Sequence, residues 1–108
     1  MIYELRIYHA LPGRLPALIA RFKDHTLPSW EKHGIRQAGF WTTVIGESDR
    51  QLTYMLAWKS LAEREERWGA FVADPERIAI FAESEKDGPI VQNISSQLLE
   101  PTEFSSVK

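Results

Sequence analysis

The stretch Ala38–Ser60, AGFWTTVIGESDRQLTYMLAWKS, decides the fold. It reads as two strands. Gly39–Ile45 is rich in aromatic and β-branched residues, and Gln51–Trp58 alternates larger and smaller ones. Between them, Gly46-Glu47-Ser48-Asp49-Arg50 is a polar loop opened by glycine, as a hairpin connection requires. A lone hairpin is marginally stable in water, so the flanking segments must cover it.

Working outward, Ile2–His9 is the first strand. Tyr3, Leu5 and Ile7 share one face, predicted to meet the core. Ile2, Glu4, Arg6 and Tyr8 share the other. There Glu4 and Arg6 read as an ion pair on a sheet face that meets a partner subunit, with a catalytic pair as the competing reading. A helix is predicted from about Arg14 to His33, with Pro16 in its first turn and Gly34 at its end. Its stripe Leu15, Leu18, Ile19, Phe22 is apolar. Projected onward at 100° per residue, the stripe reaches Thr26, Ser29, Trp30 and His33, with His25 at its edge. Pro28 lies in that second half and must distort the helix, because it has no N–H to give.

Downstream of the hairpin, Ser60-Leu61-Ala62-Glu63 is a capping box opening a helix from Leu61 to Ala73. Leu61, Trp68, Phe71 and Val72 are its predicted inner face. Asp74-Pro75 caps a new helical segment, with Ile78 and Phe81 on its apolar side. Ile90–Leu99 is the last strand. The order β-α-β-β-α-β predicts an α+β, ferredoxin-like fold: a four-stranded antiparallel sheet with its helices on one face. Ile2–His9 and Gln51–Trp58 should be neighbours at its centre. Residues 1–100 make one domain and 101–108 a loosely held tail.

The hairpin carries apolar groups on both faces, including Phe40 and Val44 on one and Trp41 and Ile45 on the other. Helices on one side leave the second face bare, and a bare apolar face marks an interaction surface. A homodimer through the sheet face opposite the helices is the expected solution.

The bulk properties narrow the function. The chain has 108 residues and a net charge of -2, which argues against a phosphate-binding surface and so against nucleic acid. There is no cysteine, hence no disulfide, thiolate nucleophile or Cys-based metal site. No apolar run approaches the ~18 residues of a membrane span. No basic-then-apolar leader precedes the first strand, so a cytoplasmic location is expected. His9, His25 and His33 lack His-x-x-x-His spacing, and no metal is expected. The glycines match no phosphate-binding loop, and the serines have no triad context. No cofactor is expected.

The pieces Tyr3-Glu4-Leu5-Arg6, Pro12-Gly13, Gly39-Phe40-Trp41-Thr42-Thr43, Ile45-Gly46, Ser60-Leu61-Ala62-Glu63-Arg64 and Asp74-Pro75 follow one another along nearly the whole chain. In this order they resemble the NIPSNAP family, within the dimeric α/β-barrel superfamily. The resemblance implies a ferredoxin-like subunit and a barrel made by two subunits. It implies no catalytic residue, because that family has no settled activity. More distant relatives of the fold include cofactor-independent monooxygenases, isomerases, dehydratases and haem-degrading enzymes, and fold alone does not choose among them.

A pocket is predicted between the sheet and the second half of the first helix, lined by Tyr3, His25, Trp30, Trp41 and Trp58. A helix distorted by Pro28 opposite an aromatic sheet face would combine free polar groups with an apolar wall. His25 is the candidate acid or base. Each histidine also has a plainer reading, as a surface or hydrogen-bonded helix-end residue, and most of the aromatics as core. Two function classes stay open: binding or transformation of a small apolar molecule, and a non-enzymatic dimeric interaction module. A haem-binding variant is a third.

Overall fold

A computed structural model describes residues Met1–Lys108. Strand β1 (Ile2–Ala10) leads through a turn into helix α1 (Leu15–Arg21). The helix continues through a π-helical turn (Phe22–Thr26) into α2 (Leu27–His33). Then come β2 (Arg36–Thr42), β3 (Gln51–Trp58), α3 (Leu61–Ala73), α4 (Pro75–Ser84) and β4 (Val91–Leu99). The sheet is antiparallel in the order β2-β3-β1-β4, with β1 and β3 at its centre. This is the ferredoxin-like arrangement expected from the order of elements. No helix is long and apolar enough to cross a membrane.

Local chemistry sets the element ends. Ser60 Oγ accepts the Glu63 N–H at 3.1 Å, and Glu63 returns the bond from the Lys59 N–H at 3.0 Å. Asp74 caps α4 through the Glu76 N–H at 2.9 Å. Gly34 ends α2 at φ +71, and Ile35 donates back to the Trp30 carbonyl at 2.9 Å. Pro28 sits in the first turn of α2, and the distortion it forces is absorbed just upstream as the π turn, where Leu27 donates to Phe22. Replacing Ser60 by Ala is expected to cost about 1 kcal/mol, read as a lower urea midpoint at unchanged slope. An unchanged midpoint would show that the box contributes nothing to α3.

The core is built on aromatic rings. Trp30 is 1% exposed and lies within 6.3 Å, centroid to centroid, of Phe22, Phe40, Tyr54, Trp68 and Phe71. Phe40 stacks on Tyr54 at 4.8 Å, across the register pair that joins β2 to β3. The pairing shifts between Gln37 and Phe40, and Gly39 adopts φ +127 there. The Trp41 ring folds over Gly39, where a Cβ would lie 2.5 Å from Cη2. Only glycine fits both demands.

Several expectations are corrected. The face of β1 turned to the helices carries Glu4, Arg6, Tyr8 and Ala10; Tyr3, Leu5 and Ile7 lie on the open face. The partner strand decides this. Leu52, Tyr54 and Leu56 on β3 are the bulky set, and their register partners are Tyr8, Arg6 and Glu4. Burying that set carries the two charges inward, where each finds partners. Strand β2 runs from Arg36 to Thr42, shifted towards the N-terminus of the predicted Gly39–Ile45. Val44 and Ile45 therefore fall in the loop, 94% and 95% exposed. Of the helix residues expected inside, Leu61, Val72 and Ile78 are exposed, whereas Trp68, Phe71 and Phe81 do turn inward.

Candidate functional site

Three places combine polar groups or open space with the sheet and the first helical stretch. The first is a buried charged centre beneath α3. Glu4 is fully buried and accepts five hydrogen bonds. Oε1 takes Trp58 Nε1 at 3.1 Å and Arg64 Nε at 2.8 Å. Oε2 takes Arg6 Nη1 at 3.1 Å, Arg64 Nη2 at 3.2 Å and Ser96 Oγ at 2.8 Å. Arg6 Nε donates to the Tyr54 hydroxyl at 2.7 Å, its Nη2 to the Tyr8 hydroxyl at 3.3 Å, and its guanidinium lies over Trp68 at 4.7 Å. Burial alone would raise the Glu4 pKa. The donors from Arg64, Ser96 and Trp58 outweigh it and hold the carboxylate at about 2. Burial pushes the Tyr54 phenol well above its usual value, so it stays neutral. Glu4, Tyr54 and Trp58 are all at 0% exposure, and the hydrogen bonds of this centre join β1, β3, β4 and α3.

The second is an apolar pocket of about 280 Å³ between the first helical stretch and the outer half of the sheet. Ile19, Phe22 and Leu27 wall it on one side, and Phe40, Trp41 and Leu52 on the other. Lys23 and Thr42 are its polar members. Trp41 is 52% exposed at this site, the most accessible tryptophan of the molecule.

The third is a cavity of about 150 Å³ on the other side of the π turn, against α3 and α4. His25, Thr26, Pro28 and Ser29 line it from the first helical stretch, with Phe71, Arg77, Ile80 and Phe81 opposite. Asp24, Lys32 and Glu76 complete the wall. Thr26 is 2% exposed and its hydroxyl has no partner; nor has Nε of Arg77. Burial lowers the Arg77 pKa, and Arg21 adds to the effect against Tyr8.

The five residues predicted to line one pocket are dispersed. Trp41 lines the apolar pocket. Trp30 is the hub of the core, not a pocket wall. Trp58 is fully buried as a donor to Glu4. Tyr3 is on the open sheet face, beside Met55, Leu99 and the tail residues Pro101 and Val107. His25 is exposed and borders the α4-side cavity, away from Tyr3 and Trp41. The projected stripe itself holds past the π turn, with Thr26 and Trp30 buried and Ser29 and His33 half-buried; His25 lies off that stripe and is turned away from the sheet. His33 bonds Asp74 Oδ2 at 2.8 Å, which with Lys32 holds that carboxylate well below its usual range. His9 faces Gln51 at 3.4 Å. No group of three or more His, Cys, Asp or Glu side chains converges as a metal site needs.

Sequence reading missed Arg64, Ser96 and Tyr54 as partners of the strand charges, and Thr26 and Arg77 as cavity walls. The available signal was Glu4 and Arg6 themselves: two charges alternating with apolar residues on a central strand must be either in water or fully paired.

Compared with known proteins, residues 3–106 match the NIPSNAP family model. No curated protein matches the chain. The fold is shared with a NIPSNAP family protein from Agrobacterium tumefaciens at TM-score 0.86 and 23% identity, covering 99% of this chain and 98% of that one. A second, described as of unknown function, from the same organism gives TM-score 0.85 at 24% identity over 100% and 94% of the two chains. An uncharacterized NIPSNAP domain protein from Burkholderia xenovorans gives 0.84 at 23% over 97% and 98%.

Proposed function

The chain belongs to the NIPSNAP family, and we propose that it binds a small apolar molecule in the pocket between its sheet and first helix. The observation that carries this reading is the apolar space of about 280 Å³ walled by Phe22, Phe40 and Trp41. Binding sites are concave and mainly hydrophobic, with a few polar groups that orient the ligand. Lys23 and Thr42 supply those groups and suit a carbonyl oxygen on the ligand. Neither is part of a nucleophile–base pair, so binding is better supported here than turnover.

Tryptophan fluorescence tests the proposal. Trp30 and Trp58 are buried and the half-buried Trp68 on α3 does not line the pocket, while Trp41 is half exposed there, so a ligand should quench Trp41 selectively. Titration with small aromatic ketones, acetophenone first, is expected to quench saturably. Trp41→Phe should remove the optical signal while calorimetry still detects binding. Quenching that stays linear in ketone concentration, with no binding heat, would overturn the proposal.

A second reading rests on a different observation. Tyr3, Leu5, Ile7 and Met55 lie on the sheet face that no helix covers, and Val44 and Ile45 stand out in the β2–β3 loop. These favour a dimeric interaction module without catalysis, in which the open face meets a second copy.

A further inference from the structure

We propose that the cavity between the π turn and α4 is a second binding site, for a small organic carboxylate with an apolar body. The case begins with Thr26. A threonine within a helix ordinarily turns its hydroxyl back to the carbonyl four residues earlier. For Thr26 that carbonyl belongs to Phe22, and the bond is not made. The Thr26 hydroxyl, 2% exposed, is left without a partner on the cavity wall. Buried polar groups are nearly always paired, and an orphan beside open space points to a missing partner.

Arg77 supplies the charge. Its guanidinium lies over the Phe81 ring at 4.2 Å and over Phe71 at 5.1 Å, which fixes its plane against two apolar surfaces. Nη1 donates to the Val72 carbonyl at 3.3 Å, and the buried Nε–H has no acceptor. No carboxylate pairs with Arg77. Lys32, the other cation of the wall, is already held by Asp74 at 3.0 Å and Glu76 at 3.7 Å. An acceptor entering the cavity therefore meets an unneutralised guanidinium and a free hydroxyl. A carboxylate suits both, accepting from Arg77 through one oxygen and from Thr26 through the other.

The remaining walls set the rest of the ligand. Pro28, Phe71, Ile80 and Phe81 are apolar, and about 150 Å³ suits a benzene-sized body. Asp24 and Glu76 stand on the same cavity and His25 at its margin, so a single negative charge is favoured over the double charge of a phosphate. Benzoate is the matching probe. This site is independent of the Trp41 pocket, on the opposite side of the π turn.

Calorimetric titration of the full chain with benzoate is expected to show saturable binding, with inorganic phosphate much weaker. Thr26→Val keeps the shape and removes the hydroxyl. It should weaken benzoate by about tenfold and leave thermal stability unchanged or raised, since the lost group was unpaired. Arg77→Met should weaken binding at least as much. Acetophenone, the probe of the Trp41 pocket, should not displace benzoate. Absence of saturable benzoate binding, equal affinity in Thr26→Val, or displacement by acetophenone would each overturn the assignment, and the first two leave the ketone titration above untouched.

Discussion

Replacing Glu4 by Ala is expected to destabilise the fold by about 3–5 kcal/mol, because removing one member of a buried charge cluster leaves the others uncompensated. The two arginines on this carboxylate would lose their shared counter-charge, and Trp58 Nε1 and Ser96 Oγ would lose their acceptor. Domains of this size hold about 5–15 kcal/mol in all, so the variant should stand near its unfolding threshold. Ser96→Ala removes one donor and leaves four, and should cost about 1 kcal/mol. Urea unfolding followed by far-ultraviolet circular dichroism separates the two. A Glu4→Ala loss no larger than that of Ser96→Ala would refute the account of the cluster. The pH dependence has a definite sign. Glu4 titrates near 2 in the folded chain and near the ordinary 4.5 when unfolded. Its depressed pKa contributes stability that is fully present above about 4.5 and is lost as pH falls towards 2, of the order of 3 kcal/mol. Glu4→Gln cannot titrate, so its urea midpoint should fall less over that window than that of the parent chain.

The same cluster shows where sequence reading succeeds and where it stops. The caps at Ser60 and Asp74, the helix stop at Gly34 and the hairpin strands involve residues a few positions apart, and their chemistry is legible locally. The strand order follows from the element order and the handedness of crossovers. Which face of β1 turns inward does not. Glu4 and Arg6 go inside only because Tyr54, Arg64 and Ser96 meet them, at separations of 48, 60 and 92 residues. Without those partners, Tyr3, Leu5 and Ile7 are the better core set by hydropathy. Pro28 announced a distorted helix, but not that the distortion would be an i→i+5 turn with a cavity on each side. His25 and Trp41 border different cavities on the two sides of that turn, and Thr26 lines the one beside His25. Trp41 borders a pocket that Trp30, Trp58 and Tyr3 do not share, because one large aromatic looks like another until the register is known.

Met55→Asp is expected to convert the protein from a dimer into a monomer, under our proposal that a second copy covers the open sheet face. Met55 is near the middle of that face, paired in register with Leu5 on β1 and flanked by Thr53 and Ala57 on its own strand. Tyr3 and Ile7 lie to either side of Leu5, and Leu99 borders Tyr3 on β4. Two such faces in contact would remove a continuous apolar surface from water, the feature that makes subunit association obligatory. An unpaired carboxylate at its centre, present twice by symmetry, would have to be desolvated with no cation opposite. Thr42→Asp is the informative control. Thr42 pairs with Leu52, whose side chain faces the helices, so a charge there lies off the proposed interface and should leave the dimer intact. Light scattering at low micromolar concentration reads the outcome directly. The parent chain should elute at twice its 12.4 kDa subunit mass and Met55→Asp at once that mass. Because association stabilises the folded chain by mass action, the parent's thermal midpoint should rise with protein concentration and that of Met55→Asp should not. A parent chain that is folded and monomeric at low micromolar concentration, or a Met55→Asp variant that stays dimeric, would refute the proposal that a second copy covers this face.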